Sequence, residues 1–426
     1  MFLPSALAFL ILLAATPALA QGPQGSPSPL AARATQEPSP VPAPGGRRDA
    51  FVYESAGGDF RVQLGLLAHA DDRVMWNDGG GQPVDTFLFR RVRPSLRGRV
   101  AHRFEFFLNP DFSTSSAVVV QDLYVDTAVA PAFHVRVGKQ KTPFGLERLQ
   151  SALNLLFLER AMPTAVAPNR DIGVQVLGDL RGGTFGYGAA VMNGVADGGS
   201  YESHATDGKD VSGRFVVRPF AKRADHSLHG LSLALSGSVG DQSQTSLRSF
   251  RTPTLQQRYF SYAGGVVNDG TRRRYSPQAS YYHGRFGGFA EYVYSRAPLR
   301  RDAVRGDVGH EAWQAAGSWV LTGEAATDAI DGVRPRASFN PAARHWGAVQ
   351  LAARYQALTV ANDAFTLGFA AAGSSRKAAG WTAGVNWYLN GNVRWTSNVE
   401  RIVFDAAGPN GRPAENLVAL RVQLIF

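Results

Sequence analysis

From residue 51 to the end of the chain, apolar and polar residues alternate in short segments that Gly, Pro, Asn and Asp separate. Alternation with a period of two puts neighbouring side chains on opposite faces of a strand, so the pattern predicts strands rather than helices. The predicted strands cover residues 60–72, 87–101, 103–108, 118–127, 133–139, 172–177, 185–191, 209–218, 231–240, 275–283, 286–296, 311–321, 347–358, 380–389, 393–404 and 415–426. This uninterrupted series favours an all-β transmembrane antiparallel barrel of about 16 strands over a soluble β-sandwich.

The two faces of these segments differ as the walls of a membrane barrel do. In the last segment, Val418, Leu420, Val422, Leu424 and Phe426 share one face, and Ala419, Arg421 and Gln423 share the other. The apolar face is expected to meet lipid and the polar face to line the lumen. The terminal Phe426 resembles the signal that the outer-membrane assembly machinery reads. We therefore expect outer-membrane lipid and that machinery as partners, in a Gram-negative bacterium.

Two segments precede the predicted barrel. Residues 1–20 form a short apolar run that closes on Ala18-Leu19-Ala20, which is typical of a signal peptide, although the run lacks a basic start and a membrane anchor is the alternative. Residues 21–50 are rich in Pro, Ser, Ala and Gly, which predicts a disordered periplasmic segment. The barrel domain is assigned to residues 51–426, which contain no further long apolar run.

Composition narrows the chemistry. The chain has no cysteine, which excludes disulfides and thiolate metal sites, and it contains neither a G-x-S-x-G nor an H-E-x-x-H motif. We therefore expect no enzymatic activity, metal or cofactor. The formal net charge is +10, and 39 of the 44 basic residues are arginine. This excess indicates either an anionic partner or a genome-wide preference for arginine codons. No nucleic-acid partner is expected.

The predicted strand over residues 87–101 carries a row of arginines. Period two places Arg91, Arg93, Arg97 and Arg99 on one face. Successive members would lie about 7 Å apart along the strand. Because an arginine facing lipid near the midplane costs about 2–4 kcal/mol, the row is expected to face the lumen.

Other arginines follow the same rule. The alternation turns inward Arg103, Arg136, Arg214, Arg218, Arg354, Arg394 and Arg421, together with fewer acids, Glu105, Glu291 and Glu400. Rings of arginine favour anions, and the guanidinium fork matches the oxygens of phosphate or carboxylate. The alternative is that these arginines only pair with acids across the lumen.

A long connection follows the fifth predicted strand. Residues 140–170 include three prolines and a helix-like stretch over residues 146–161. Such a loop can fold into the lumen and form a constriction. It would bring Lys139, Lys141 and Arg148 toward the narrowest region, along with Arg160 and Arg170, with Glu147 and Glu159 as partial counter-charges.

Several motifs in a fixed order resemble the phosphate-selective porins of the O and P type. They are FRRVRPSLRGRV (89–100), QDLYVD (121–126), VGKQKTPFGLERL (137–149), LERAMPTAVAPNRDIGVQ (158–175), SWVLTGE (318–324), AGVNWYLN (383–390) and LRVQLIF (420–426). The resemblance implies a sixteen-stranded homotrimeric porin with the loop after strand five folded inside, for passive uptake of phosphate or pyrophosphate.

The resemblance also implies individual roles. Arg90 and Arg91 match the paired arginines of the family's binding site, and Arg148 matches a basic residue of the constriction loop. Strict alternation points Arg91 inward but not Arg90. Leu67 stands where phosphate-selective members have an arginine, which weakens phosphate specificity more than anion preference. A general anion or small-solute porin, or a non-conducting structural or adhesive barrel, stays open as an alternative.

Overall fold

The computed structural model describes residues 51–76, 85–113, 117–130, 132–201, 207–330, 332–405 and 412–426. The predicted signal peptide and the Pro-rich segment lie outside these residues. No helix in the described ranges is long and apolar enough to span a membrane.

Within the described residues, sixteen antiparallel strands close into a barrel, as the alternation predicts. They are β1 (Phe60–Met75), β2 (Thr86–Val100), β3 (Phe104–Asp111), β4 (Val119–Ala130), β5 (Phe133–Lys141), β6 (Arg170–Leu180), β7 (Phe185–Met192), β8 (Asp210–Val217), β9 (Leu231–Asp241), β10 (Thr271–His283), β11 (Phe286–Arg301), β12 (Val304–Val320), β13 (Ala348–Val360), β14 (Lys377–Tyr388), β15 (Val393–Phe404) and β16 (Glu415–Ile425). Each strand pairs with its sequence neighbours, and β1 also pairs with β16, which closes the ring. Every backbone ladder thus has a partner, as lipid requires.

The elements outside the barrel wall are short. Additional strands cover Phe51–Glu54, Phe250–Arg251, Arg258–Phe260 and Val267–Asn268, helical turns cover Pro163–Val166 and Asp363–Thr366, and 3₁₀ turns cover Ala152–Asn154 and Pro341–Ala343. The predicted helix over residues 146–161 is wrong, since only one 3₁₀ turn lies within it. Arg103 is likewise displaced from its predicted strand, because it lies in the exposed turn between β2 and β3.

Burial in the wall is reversed relative to a soluble protein. On β16, Val422 and Leu424 are about two-fifths exposed on the outer face, whereas Arg421 and Gln423 are almost fully buried on the inner face. On β14, Trp381 is exposed in the same way. The predicted assignment of the apolar face to lipid and the polar face to the lumen is confirmed on both strands.

Loops narrow the lumen from both ends. The connection 142–169 after β5 lies inside the barrel, where much of the apolar packing gathers around Phe144, Met162, Phe250 and Phe260. The described part of a second long connection, residues 321–330 and 332–347, enters from the opposite end. The side chain of Asn154 donates a 2.5 Å hydrogen bond to the carbonyl of Ala329 in that connection. The predicted inward fold of the loop after strand five is confirmed.

Gly138 shapes the wall where this inner loop begins. Its φ is +131°, and an added Cβ would lie 2.3 Å from the carbonyl oxygen of Leu123 on β4.

Gly138→Ala is expected to destabilise the refolded barrel by about 1–3 kcal/mol, because the substitution adds both backbone strain and a clash. Denaturant unfolding in micelles measures this change. Gly317→Ala is the control, since the space around Gly317 is open. Equal unfolding midpoints for the two variants would contradict the prediction.

Candidate anion-binding site

The inner loop, called the constriction loop and comprising residues 142–169, is held by polar side chains of the wall. The backbone N–H groups of Leu146, Leu158 and Met162 donate to Glu291, Asn398 and Gln356 at 2.8–2.9 Å, and the carbonyls of Leu155, Leu156 and Glu159 accept from Arg394, Asn386 and Arg354 at 2.9–3.2 Å. These bonds replace those that a helix would make within itself. The helical pattern of residues 146–161 is therefore overridden by the barrel wall.

A β-bulge on β2 faces this loop. In the register with β1, His69 pairs with Arg91 and Ala70 pairs with Phe89, so Arg90 is the extra residue. A bulge re-aims the side chains of its strand. Arg90 and Arg91 therefore both reach the same carboxylate in the lumen, which strict alternation would forbid.

That carboxylate belongs to Glu159 on the constriction loop. One oxygen lies 2.8 Å from Nη2 of Arg91, and the other lies 2.9 Å from both Nε of Arg90 and Nη2 of Arg421. Nη2 of Arg73 approaches to 3.9 Å. We call Arg73, Arg90, Arg91 and Arg421 the arginine cage. Charge-assisted contacts of this length are the way proteins hold carboxylate and phosphate.

A second carboxylate compensates part of the cage. Asp71 on β1 accepts hydrogen bonds from Arg421 at 2.6 and 2.7 Å and from Arg73 at 2.9 Å. His69 lies beside Arg91, with 3.1 Å between Nδ1 and Nη1. Four guanidinium groups thus share two carboxylates, and the cage keeps a formal excess of two positive charges.

The electrostatics of the constriction loop follow from this crowding. Burial alone would raise the pKa of Glu159, but the guanidinium groups of Arg90, Arg91 and Arg421 outweigh it and hold that pKa well below its usual range. Loss of water, together with the positive charges of Arg160 and Arg170, lowers the pKa of Arg148 to about 9. Glu159 and Arg148 are therefore both charged at neutral pH.

A cavity of about 450 Å³ opens beside the cage. Its charged lining consists of Arg90, Arg91, Arg148, Arg160, Arg248, Arg251, Glu159 and Asp197. This gives a formal net charge of +4. The volume lies within the range of about 300–1,000 Å³ that is usual for pockets that hold small molecules. A polyatomic anion is the ligand that this size and charge suit.

Two lining arginines from the constriction loop donate hydrogen bonds to backbone carbonyls. Arg148 donates to the carbonyl of Thr164, and Arg160 donates to the carbonyls of Glu147 and Gln150 at 2.9 and 2.5 Å. A carbonyl orients a guanidinium without neutralising it. These two side chains therefore bring positive charge to the cavity.

Of the nine residues predicted to bind anions, three line the cavity, namely Arg90, Arg91 and Arg148. Two members of the predicted row on β2, Arg91 and Arg93, are register partners of the buried His69 and Leu67. Arg93 is paired with Asp111 at 2.7 Å, and Arg99 is 3.7 Å from Glu54.

The other four predicted residues also lie outside the lining of the cavity. The guanidinium of Arg97 stacks over Phe107 at 4.5 Å, and Arg136 is 2.9 Å from Asp126. Lys141 donates to the carbonyls of Leu149 and Gln150 at 2.8 and 3.0 Å, and Lys139 is buried at the end of β5. Pairing of wall arginines with acids, the alternative reading of the sequence, thus describes much of the wall.

Residues that the sequence did not single out complete the site. Arg73 and Asp71 lie on the inner face of β1, where the alternation of that strand would have placed them. Arg248 and Arg251 come from the connection between β9 and β10, which has no alternation to follow. Leu67 packs against Ala152 of the constriction loop and Ile425, so the missing arginine leaves an apolar contact rather than a gap.

The chain is similar to known outer-membrane channel proteins. The family model for phosphate-selective porins O and P matches residues 62–426. No curated protein sequence matches the chain. Among solved structures, the outer membrane channel DcaP of Acinetobacter baumannii is 12% identical, with 88% of this chain and 99% of that chain covered and a TM-score of 0.57.

Two further structures have the same fold. An anion-selective porin from Comamonas acidovorans is 13% identical over 86% of this chain and 100% of that chain, with a TM-score of 0.52. The trimer form of OmpT from Vibrio cholerae is 11% identical over 86% of this chain and 99% of that chain, also with a TM-score of 0.52. At these identities the likeness is one of fold.

Proposed function

This chain belongs to the phosphate-selective porin O and P family of outer-membrane proteins, and from that membership we propose that it forms an anion-selective channel for passive uptake of phosphate or pyrophosphate. We propose a homotrimeric assembly, in line with the family resemblance and with the trimer form of OmpT. The observation that carries the proposal is the cavity of net charge +4 beside the arginine cage.

The positive charge at the cavity gives a physical basis for anion selectivity. Positive side chains replace part of the hydration that an anion loses on entry and repel cations by their field. The fork of arginine fits two oxygens of a phosphate at once. Because Arg148 and Arg160 bond to carbonyls rather than to carboxylates, their charge is available to an incoming anion.

The alternatives give different electrical behaviour in planar lipid bilayers. An anion-selective channel produces a zero-current potential across a KCl gradient with the sign of chloride permeation. A non-conducting structural barrel opens no pores, and a cation preference would contradict the assignment of the arginines to anion binding.

A competition series between anions then tests the substrate. We expect phosphate to inhibit the chloride current at a lower concentration than sulfate or a dicarboxylate does, whereas equal inhibition would indicate a general anion porin.

Arg148 provides a test within the constriction loop. Arg148→Ala is expected to weaken phosphate inhibition of the chloride current about tenfold, because a hydrogen bond from a charged donor contributes about 1.5–3 kcal/mol. The control is Arg296→Ala, since Arg296 pairs with Asp307 at 2.8 Å on the exposed outer face. An equal effect of both substitutions would show that Arg148 acts only through the total charge of the protein.

A further inference from the structure

Glu159 is held by the arginine cage in the manner of a bound anion. Its two carboxylate oxygens receive contacts from Arg90 at 2.9 and 3.2 Å, from Arg91 at 2.8 and 3.4 Å and from Arg421 at 2.9 Å. The carboxylate is almost entirely shielded from solvent, as are Arg91 and Arg421. A free carboxylate or phosphate in this position would use the same nitrogen atoms.

The position of the constriction loop does not depend on this carboxylate alone. The backbone around Glu159 is fixed by three hydrogen bonds to the wall at 2.8–3.0 Å. The N–H groups of Leu158 and Met162 donate to the side-chain oxygens of Asn398 and Gln356, and Arg354 donates to the carbonyl of Glu159. The loop therefore has anchors that do not involve the Glu159 side chain.

Glu159 also stands at the border between the cage and open space. Together with Arg90 and Arg91 it lines the 450 Å³ cavity. An anion that has entered the cavity thus meets two guanidinium groups that already contact a carboxylate. The Nε atoms of Arg73 and Arg91 have no hydrogen-bond partner in the part of the chain that the structure describes, so the cage has donors to spare.

We propose that the arginine cage is a binding site for small carboxylates and phosphates, and that Glu159 occupies it as a tethered ligand which a permeating anion must displace. The inference rests on the proposed function, because the cage borders the same cavity. A short tether gives a group an effective concentration in the millimolar range. Competition from the Glu159 carboxylate at this concentration prevents the positively charged cage from holding a permeating anion too tightly. Conduction requires such rapid release.

The test is replacement of the tethered ligand by a free one. Glu159→Ala empties the cage, and the uncompensated buried guanidinium groups lower the thermal unfolding midpoint of the protein in detergent micelles. Acetate or inorganic phosphate at millimolar concentration is expected to restore that midpoint. Wild-type protein, whose cage is filled, responds no more to these anions than to NaCl of equal ionic strength.

A matched variant controls for a general effect of salt. Asp307→Ala also removes a carboxylate from an arginine pair, but that pair lies exposed on the outer face. Acetate is expected to shift its midpoint no more than NaCl does. If acetate and phosphate shift Glu159→Ala no further than they shift this control, the cage is not an exchangeable site and the proposal is wrong.

A second variant covers the case in which Glu159→Ala does not fold. Glu159→Gln keeps the shape of the side chain and removes its charge. Without the tethered competitor, half-inhibition of the chloride current is expected at a phosphate concentration about tenfold lower. This factor corresponds to a cage that Glu159 leaves free about one-tenth of the time in the wild-type protein. An unchanged concentration would overturn the proposal.

Failure of the anion-channel hypothesis and failure of the tethered-ligand hypothesis give different experimental results. The melting experiment needs no conduction, so a cation-selective pore with a rescued Glu159→Ala variant would contradict the proposed function and leave the exchangeable cage in place. An anion-selective pore without rescue would contradict the tethered ligand alone.

Discussion

Alanine at Arg91 is expected to weaken phosphate inhibition of the channel by about 10- to 100-fold and to move the zero-current potential toward zero. The reason is local, because Arg91 lies in the cage, lines the cavity and makes a 2.8 Å contact with Glu159. Its removal costs the site one charge-assisted donor, which contributes about 1.5–3 kcal/mol.

Arg93 is the matched control for this experiment. It lies on the same strand and the same face, two residues away, but its 2.7 Å pair is with Asp111 and it does not line the cavity. Arg93→Ala is therefore expected to change phosphate inhibition less than threefold. Equal losses in the two variants would mean that the whole row of arginines acts on the anion, as the sequence pattern had suggested, and would refute the localised site.

The second large effect concerns the outer face. Leu235 lies at the middle of β9, is 59% exposed and pairs in register with Phe215 and Pro277. Leu235→Arg is expected to destabilise the barrel in lipid vesicles by about 2–4 kcal/mol, since an arginine at the bilayer midplane must give up its hydration. Denaturant unfolding followed by tryptophan fluorescence measures the difference.

Leu228→Arg serves as the comparison, because Leu228 lies in the connection between β8 and β9 and is 39% exposed. Near an interface the same substitution costs about 0–1 kcal/mol. If both variants unfold alike, the face that carries Leu235 is not in contact with lipid, and the assignment of the outer face would have to be abandoned there.

The alternation of residues was sufficient to predict the barrel because its signal is repeated. Each strand must satisfy one rule, apolar outward and polar inward, and a wrong register would turn every side chain to the wrong face. All sixteen predicted strands overlap a strand of the structure, and the inward arginines on β13, β15 and β16 are where parity places them.

Local irregularities broke that rule, and they occur at the site. The bulge on β2 turns Arg90 toward Glu159, although alternation alone would send it to the lipid. The helix predicted over residues 146–161 does not form, because Asn398, Arg354 and Arg394 of the wall satisfy its backbone. Both outcomes depend on partners that are distant in the sequence.

The amino-acid sequence by itself determined the barrel and its two faces, since each follows from a period-two pattern that is local to a strand. Tertiary structure alone decided which arginines are paired with a carboxylate and which are held by a backbone carbonyl. Arg93 and Arg136 are neutralised by Asp111 and Asp126, whereas Arg148 is held by a carbonyl. Charge pairing across strands and loops depends on distances in space, and a periodicity along the chain cannot contain them.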